Sequence, residues 1–294
     1  MRDVYQIART LGGDVTGTDS ANVPGPGHGC ADRSLSIKLN ARAPGGFVVF
    51  SHAGDDPIEC RDYVRGKLGL AQWRPGGGDA RIPFVVSQNN RDDDKDRLKS
   101  LALKIWQESA SPVGTVVDRY LLEHRGLVLP ATAANNTVRF HGSLYVDRFT
   151  RMPGMVCLLR NVQTDEPTGI HRTFLDRKTA AKIDRKMLGI AKGAAVKIDT
   201  ALQSTLTVGE GVETVLSARA AGFGPVWALG SSGAVGAFPV LAELAELTLL
   251  EENDPTSRRD VKTCAKRYLE ARRPVNILTS HVGNDFNDAW RSMK

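Results

Sequence analysis

The stretch TLTVGEGVETVLSA (205–218) passes from a strand-like apolar run into a helical one, and the same change recurs to the end of the chain. Strand TLTV (205–208) gives way to a helix from about Glu213, and strand VWAL (226–229) to a helix around PVLAELAEL (239–247). Strand LTLL (247–250) leads to a helix from about Thr256, and strand VNIL (275–278) follows. Strands spaced by helical stretches imply a parallel sheet with crossover helices, the α/β class.

In such a sheet, reactive groups gather beyond the carboxyl ends of the strands. Glu210 follows the first strand, Glu252 and Asp254 follow LTLL, and Asp285 and Asp288 follow VNIL after a short loop. Gly209 and Gly211 flank Glu210, and their freedom is expected to let the backbone turn sharply there. Each acid has a bland reading alone: an E-x-D pair is commonly a solvated turn, and Glu at a helix start complements the helix dipole. Three such pieces at successive strand ends would instead converge on one edge. Clustered carboxylates suit Mg²⁺, a hard ion with oxygen ligands. Such an ion neutralises charge on attacking and leaving oxygens in phosphoryl transfer.

VGEGVETVLSA (208–218), LLEENDPTSRRDVKTCAKRY (249–268) and GNDFNDA (283–289) together resemble a Toprim domain, the catalytic fold of bacterial-type primases, topoisomerases and some nucleases. The resemblance implies Glu210 as general acid/base beside the transferred phosphate. It implies Glu252 and Asp254 as the paired metal-holding acids, Asp285 near them, and Mg²⁺ or Mn²⁺ as the ion. Glu213 lies where primase-like members carry a further acid and is taken as a second catalytic candidate. One position departs from the pattern: the first acid of the pair is usually Asp, and here it is Glu252.

Upstream, residues 138–200 are strand-rich, with apolar runs MVCLL (155–159), GIHRTFL (169–175) and AAVKI (194–198). The segment GIHRTFLDRKTAAKIDRKMLGIAKGAAVKI (169–198) resembles the one preceding the Toprim half in proteins of phages, plasmids and bacterial mobile elements. In primases the corresponding part is basic and holds template and incoming nucleotide. By that resemblance Arg172, Lys178 and Lys186 are candidates for phosphate contacts, Arg through its planar fork and Lys as a point charge. His171 reads as a satisfied strand histidine. Before these strands, Leu98, Leu101, Ala102, Ile105 and Trp106 form one apolar helical stripe on a helix from Asp92. TVVDRYLLEHR (115–125) forms a second helix, stopped by Gly126.

PGPGHGCADRSLSI (24–37) and GGFVVFSHAGDDPIECRDYV (45–64) resemble a primase zinc-binding module in layout. SLSIKL (34–39) and FVVF (47–50) read as strands, and IECRDYVRGKLG (58–69) as a helix. His28, Cys30, His52 and Cys60 are the available zinc ligands, but such modules generally use closely spaced pairs. The wide gap from His52 to Cys60 makes a ribbon held by its core, without zinc, the expectation. WRPGGGDARIP (73–83) reads as a linker. The expected organisation is thus a small zinc-ribbon-like module (1–75), a mixed α+β subdomain, helical and basic (90–200), and a Toprim parallel-sheet domain (201–294).

Of 294 residues, 41% are hydrophobic and 24% charged, as in ordinary soluble globular proteins. No apolar run nears the roughly 20 residues that cross a bilayer. MRDVYQIARTLGG at the start lacks a signal core, and the four cysteines are scattered without a C-x-x-C pair. A cytoplasmic protein without membrane contact is expected. Net charge +6 favours polyanionic partners.

Together these features lead us to expect a DNA primase-like nucleotidyltransferase, making short RNA primers on single-stranded DNA from ribonucleoside triphosphates. The rivals are a Toprim nuclease with the same acids and a non-catalytic nucleic-acid-binding accessory of replication. No G-x-x-x-x-G-K-[ST] loop occurs, so a separate helicase partner is expected. A topoisomerase would need a nucleophilic tyrosine in a strand-passage domain, for which the chain leaves no room.

Overall fold

The structure, a computed structural model, describes residues 3–17, 19–40, 43–71, 88–147, 149–201 and 204–293. It divides into two compact units, Met1–Asp94 and Lys95–Lys294. The expected linker 73–83 lies outside the described residues.

The first unit opens with helix α1 (Val4–Leu11), which the sequence reading does not anticipate. Asp3 caps it by accepting from the Gln6 amide, and Gly12 closes it in the left-handed region at φ 72°. Strands β1 (Asp14–Val15), β2 (Ser20–Val23), β3 (Leu35–Leu39) and β4 (Phe47–Ser51) then pair antiparallel in chain order. Helix α2 (Pro57–Lys67) follows, capped by Asp56. On β3, Leu35, Ile37 and Leu39 turn inward while Lys38 faces out, the period-two pattern of a sheet covered on one side. The inward residues meet Ile7, Leu11, Val23, Phe47, Cys60 and Val64 in one core.

Helix α3 (Gln88–Glu108) starts a little before the expected Asp92 and runs into the second unit from Lys95. Ala102, Leu103, Ile105 and Trp106 pack in the core, whereas Leu101, expected on the apolar stripe, is exposed. Helix α4 (Val116–Arg119) widens into a looser turn over Tyr120–His124, and the chain turns at Gly126, φ 63°.

An antiparallel sheet follows: β5 (Val138–Tyr145), β6 (Arg151–Asn161), β7 (Pro167–Leu175) and β8 (Lys182–Gly189). Strand β9 (Ala194–Lys197) pairs antiparallel with β6 and with a strand of the C-terminal part. That part runs β10 (Thr205–Gly209), α5 (Val212–Ala220), β11 (Val226–Ala228), α6 (Ser232–Gly236), β12 (Glu246–Glu251), α7 (Pro255–Glu270), β13 (Val275–Thr279) and α8 (Phe286–Ser292). Nine strands join in the order β13-β12-β10-β11-β9-β6-β7-β8, with β5 also on β6. The regions expected as separate subdomains at 90–200 and 201–294 therefore share one mixed sheet, and the first is built more of strand than of helix.

Strands β13, β12, β10 and β11 are mutually parallel. The chain leaves β10 for β11 on one side and returns to β12 on the other, so the strand order reverses beside β10. Helix α5 is buried from Val212 through Ala218, its polar Glu213, Thr214 and Ser217 included.

The expected helix over 239–247 is absent. Only Ser232–Gly236 is helical between β11 and β12. Leu241 and Leu244 are buried at helix-like spacing, but side chains of α7 and of the turn after it supply hydrogen bonds to this backbone. Tyr268 donates its hydroxyl to the Pro239 carbonyl at 2.7 Å. Arg267 takes the carbonyls of Phe238 and Gly236. Arg273 takes that of Ala242. An extended apolar turn thereby satisfies its backbone through neighbouring side chains.

Candidate active site

The strand order reverses beside β10, and in open α/β sheets ligand-binding groups gather beyond the carboxyl ends of the strands at such a point. Glu210 leaves β10, Glu252 leaves β12, and Asp254 and Asp285 stand at the starts of α7 and α8 after β12 and β13. The Asn253 amide donates to the Asn284 carbonyl at 2.9 Å, tying the last two loops together.

Glycine at 209 serves packing rather than a turn. A Cβ there would lie 3.1 Å from the side chains of Leu250 and Val215, so its absence lets α5 lie close on β10 and β12. Gly211 keeps an ordinary extended backbone, φ −93°, as the residue before α5.

Asp254 and Asp285 are helix caps. Asp254 Oδ1 accepts from the amides of Thr256 and Ser257, and Asp285 Oδ1 from those of Asn287 and Asp288. Among the described residues no hydrogen bond engages Oδ2 of either side chain. The bland reading of these acids holds for one oxygen each and leaves the other available.

Glu252 accepts from the Thr214 hydroxyl at 3.3 Å. Burial, then the charges of Glu210, Asp285 and Asp254, push its carboxyl up to about 7. Glu210, Asp285 and Asp254 thus all lie near enough to act on Glu252 through space. Glu210 meets one cation, the Arg185 guanidinium at 3.4 Å.

No three His, Cys, Asp or Glu side chains among the described residues are grouped closely enough to ligate an ion by themselves. Mg²⁺ is commonly held by one or two carboxylates together with water and substrate phosphates. A raised Glu252 and two aspartates that each keep one oxygen free of hydrogen bonds among the described residues fit such an ion. The residues fit it by their charge and free oxygens.

Glu213 is placed differently from the expectation. It is buried, and its carboxylate accepts from the Tyr120 hydroxyl and from Lys182 Nζ at 3.0 Å. Burial alone would raise its pKa, but Lys182 and the Tyr120 hydrogen bond outweigh that and hold it below the usual range. Enclosed in this way, it is not placed to exchange a proton with a substrate.

Arg172 is also buried, and its guanidinium binds the carbonyls of Tyr145 and Met187 at 3.2 and 3.5 Å. That use holds the hairpin and does not fit the phosphate contact expected from sequence. Lys178 is exposed in the turn after β7. Lys186 is exposed on β8, its ammonium on the Val146 carbonyl at 2.9 Å. His171 is not a satisfied strand histidine: it is buried, Nδ1 has no partner among the described residues, and burial lowers its pKa to about 4.

Sequence reasoning chose Lys178 and Lys186, whereas Lys182 and Arg185 reach the acids. A strict alternation along β8 puts 182 and 185 on opposite faces. The register shifts between Phe174 and Leu175, so Lys182 pairs with Leu175 and Arg185 with Thr173, on one face. The shift leaves no mark in residue types.

In the first unit three of the four zinc candidates have other partners. Cys60 lies in the core with its thiol pKa raised by burial, and Cys30 is exposed. His28 contacts Asp32 at 2.9 Å and Asp55 at 3.2 Å, and His52 contacts the Ser36 hydroxyl.

Residues 205–293 match the Toprim domain family, and residues 96–198 match a domain of unknown function, DUF7146. The C-terminal part of the chain is a Toprim domain in an α/β protein. No curated protein matches the chain. Among solved structures, the chain is similar to the primase fragment of the bacteriophage T7 primase-helicase protein, at 17% identity and TM-score 0.41 over 58% of this chain and 69% of that one. A DNA primase domain from Pseudomonas aeruginosa is similar at 13% identity and TM-score 0.45, over 66% of this chain and 74% of that one. The Aquifex aeolicus primase, comprising zinc-binding and RNA polymerase domains, is similar at 12% identity and TM-score 0.44, over 98% and 79%. Among the described residues no helix is long and apolar enough to cross a membrane.

Proposed function

We propose that the chain is a primase-like nucleotidyltransferase that extends short RNA on single-stranded DNA from ribonucleoside triphosphates. The observation that carries this reading is the placing of Glu210, Glu252, Asp254 and Asp285 at strand ends beside the strand reversal, where the other three charges raise Glu252 and Arg185 pairs with Glu210.

In the reaction, the 3′-hydroxyl oxygen forms a bond to the α-phosphorus and the bond to the β-phosphate oxygen breaks, releasing pyrophosphate. Glu210, half-buried at the end of β10, takes the hydroxyl proton. Glu252 and Asp254 would hold Mg²⁺ or Mn²⁺ with Asp285 beside them, and the bound ion supplies charge neutralisation on the phosphate oxygens. Arg185 orients the triphosphate through its forked donors. Lys178 and Lys186, exposed on the same hairpin, attract the DNA backbone. Unwinding falls to a separate helicase, and the work is cytoplasmic.

The test gives the purified chain single-stranded DNA, ribonucleotides and Mg²⁺ or Mn²⁺. Oligoribonucleotide products that vanish with Glu210→Gln support the reading. DNA cleavage without synthesis makes the protein a nuclease, and DNA binding without either reaction makes it an accessory binder.

A further inference from the structure

Resting on that reading of the acids, we infer that Tyr120, Lys182 and Glu213 are positioning residues. They fix the first turn of α5 and through it Glu210 and Glu252.

Helix α5 begins two residues after Glu210, and its cap, Gly211, offers no side-chain hydrogen bond to the free amides. A helix start is ordinarily steadied by such a bond. Here the anchor lies inside the first turn, where Glu213 accepts from the Tyr120 hydroxyl and Lys182 Nζ. Its neighbour Thr214 donates to Glu252. One turn of helix therefore carries Glu210 at its entrance and the hydroxyl that holds Glu252.

The same network reaches Asp285. Arg125 Nε donates to the Tyr120 oxygen at 2.9 Å, and the Arg125 carbonyl accepts from Asn287 Nδ2 at 2.9 Å. Asn287, wholly buried, also donates through Nδ2 to the Ser217 hydroxyl of α5 and through its amide to Asp285. Tyr120, Arg125 and Lys182 come from the segment 96–198, and Glu213 and Asn287 from the Toprim domain. The spacing of the acids is thus set by side chains outside the domain that carries them. A buried carboxylate that loses its partners is strongly disfavoured, so the turn moves when they are removed.

The experiment uses the full chain with Tyr120→Phe, Glu213→Gln and the conservative Lys182→Arg. Calorimetric titration with Mn²⁺ alone, without nucleotide, reads the arrangement of the acids directly. Outer residues that orient ligands commonly change metal affinity about 10–100-fold. Tyr120→Phe and Glu213→Gln are therefore expected to weaken Mn²⁺ binding by about tenfold or more, with unchanged circular dichroism. Lys182→Arg, which keeps the cation, stays within about threefold of the wild type. In primer synthesis kcat falls while the nucleotide KM holds. Tyr120→Phe leaves the ion pair in place and so keeps the test decisive if Glu213→Gln does not fold. Wild-type Mn²⁺ affinity in folded Tyr120→Phe, or a wild-type chain without affinity for Mn²⁺, overturns the inference. A wild-type chain that binds Mn²⁺ but makes no primer overturns only the functional reading, and the titration still decides this one.

Discussion

Arg185 and Glu210 meet at 3.4 Å, where the edge strand β8 comes against the end of β10. The pair brings a cation from the upstream segment to the acid at the strand reversal. Both side chains keep contact with solvent, at 46% and 18% exposure, so the pair adds little to stability and can open.

Replacing Arg185 with Gln is expected to act on binding rather than folding. If it meets a phosphate, the slope of log affinity for single-stranded DNA or nucleotide against log salt becomes shallower by about one. Binding at four or five salt concentrations checks this. An unchanged slope and affinity would remove Arg185 from the site.

Glu210→Gln is expected to lower kcat by about 10²–10⁴-fold, the usual contribution of a general base. DNA affinity and thermal midpoint should stay close to those of the wild type, since the side chain is half-buried and makes one ion pair. Rapid-quench synthesis beside a melting curve separates the two effects.

Glu252 gives a pH dependence of known sign. Its folded pKa, about 7, lies above the unfolded 4.5, so the folded state favours the protonated acid. The stability this brings is complete below about pH 4.5 and is lost as pH rises through 7. After allowance for partial exposure the loss is on the order of 2 kcal/mol. Metal-free protein should therefore melt lower at pH 8 than Glu252→Gln does, and the gap should close at pH 5. Mg²⁺ should raise the midpoint more at pH 8 than at pH 5. Differential scanning calorimetry at both values is the check.

Tyr268→Phe removes the hydroxyl that binds the Pro239 carbonyl and accepts from the Leu241 amide. The Pro239 carbonyl is half-buried and the Leu241 amide buried, so leaving both without this partner costs about 1–3 kcal/mol. Urea unfolding should show that loss, while the activity of the folded fraction stays unchanged because the contact lies on the packing side of α7.

The parallel part of the fold was legible because its signal is local. TLTV, VWAL, LTLL and VNIL are apolar runs bounded by turns, and each becomes a strand. The helix expected over 239–247 failed because Leu241, Leu244 and Leu247 recur at helical spacing, yet Tyr268, Arg267 and Arg273 satisfy that backbone from another element. Helix α1 was legible too, with Val4, Ile7, Ala8 and Leu11 at i, i+3, i+4 and i+7, and the reading passed over it. In the site, Glu210, Glu252, Asp254 and Asp285 followed from strand ends, which sequence order reveals. The burial of Glu213 and Arg172, and the approach of Lys182 and Arg185, depend on partners far along the chain and on a register shift. Residue types record neither.

The most direct measurement is anomalous diffraction from a crystal soaked in Mn²⁺. A cation peak touching the carboxylate of Glu252 or Asp254, with Glu210 turned toward the same ion, is the expected result. A saturating soak that leaves those side chains bare, with Glu210 and Asp254 too far apart to share one ion, would contradict it.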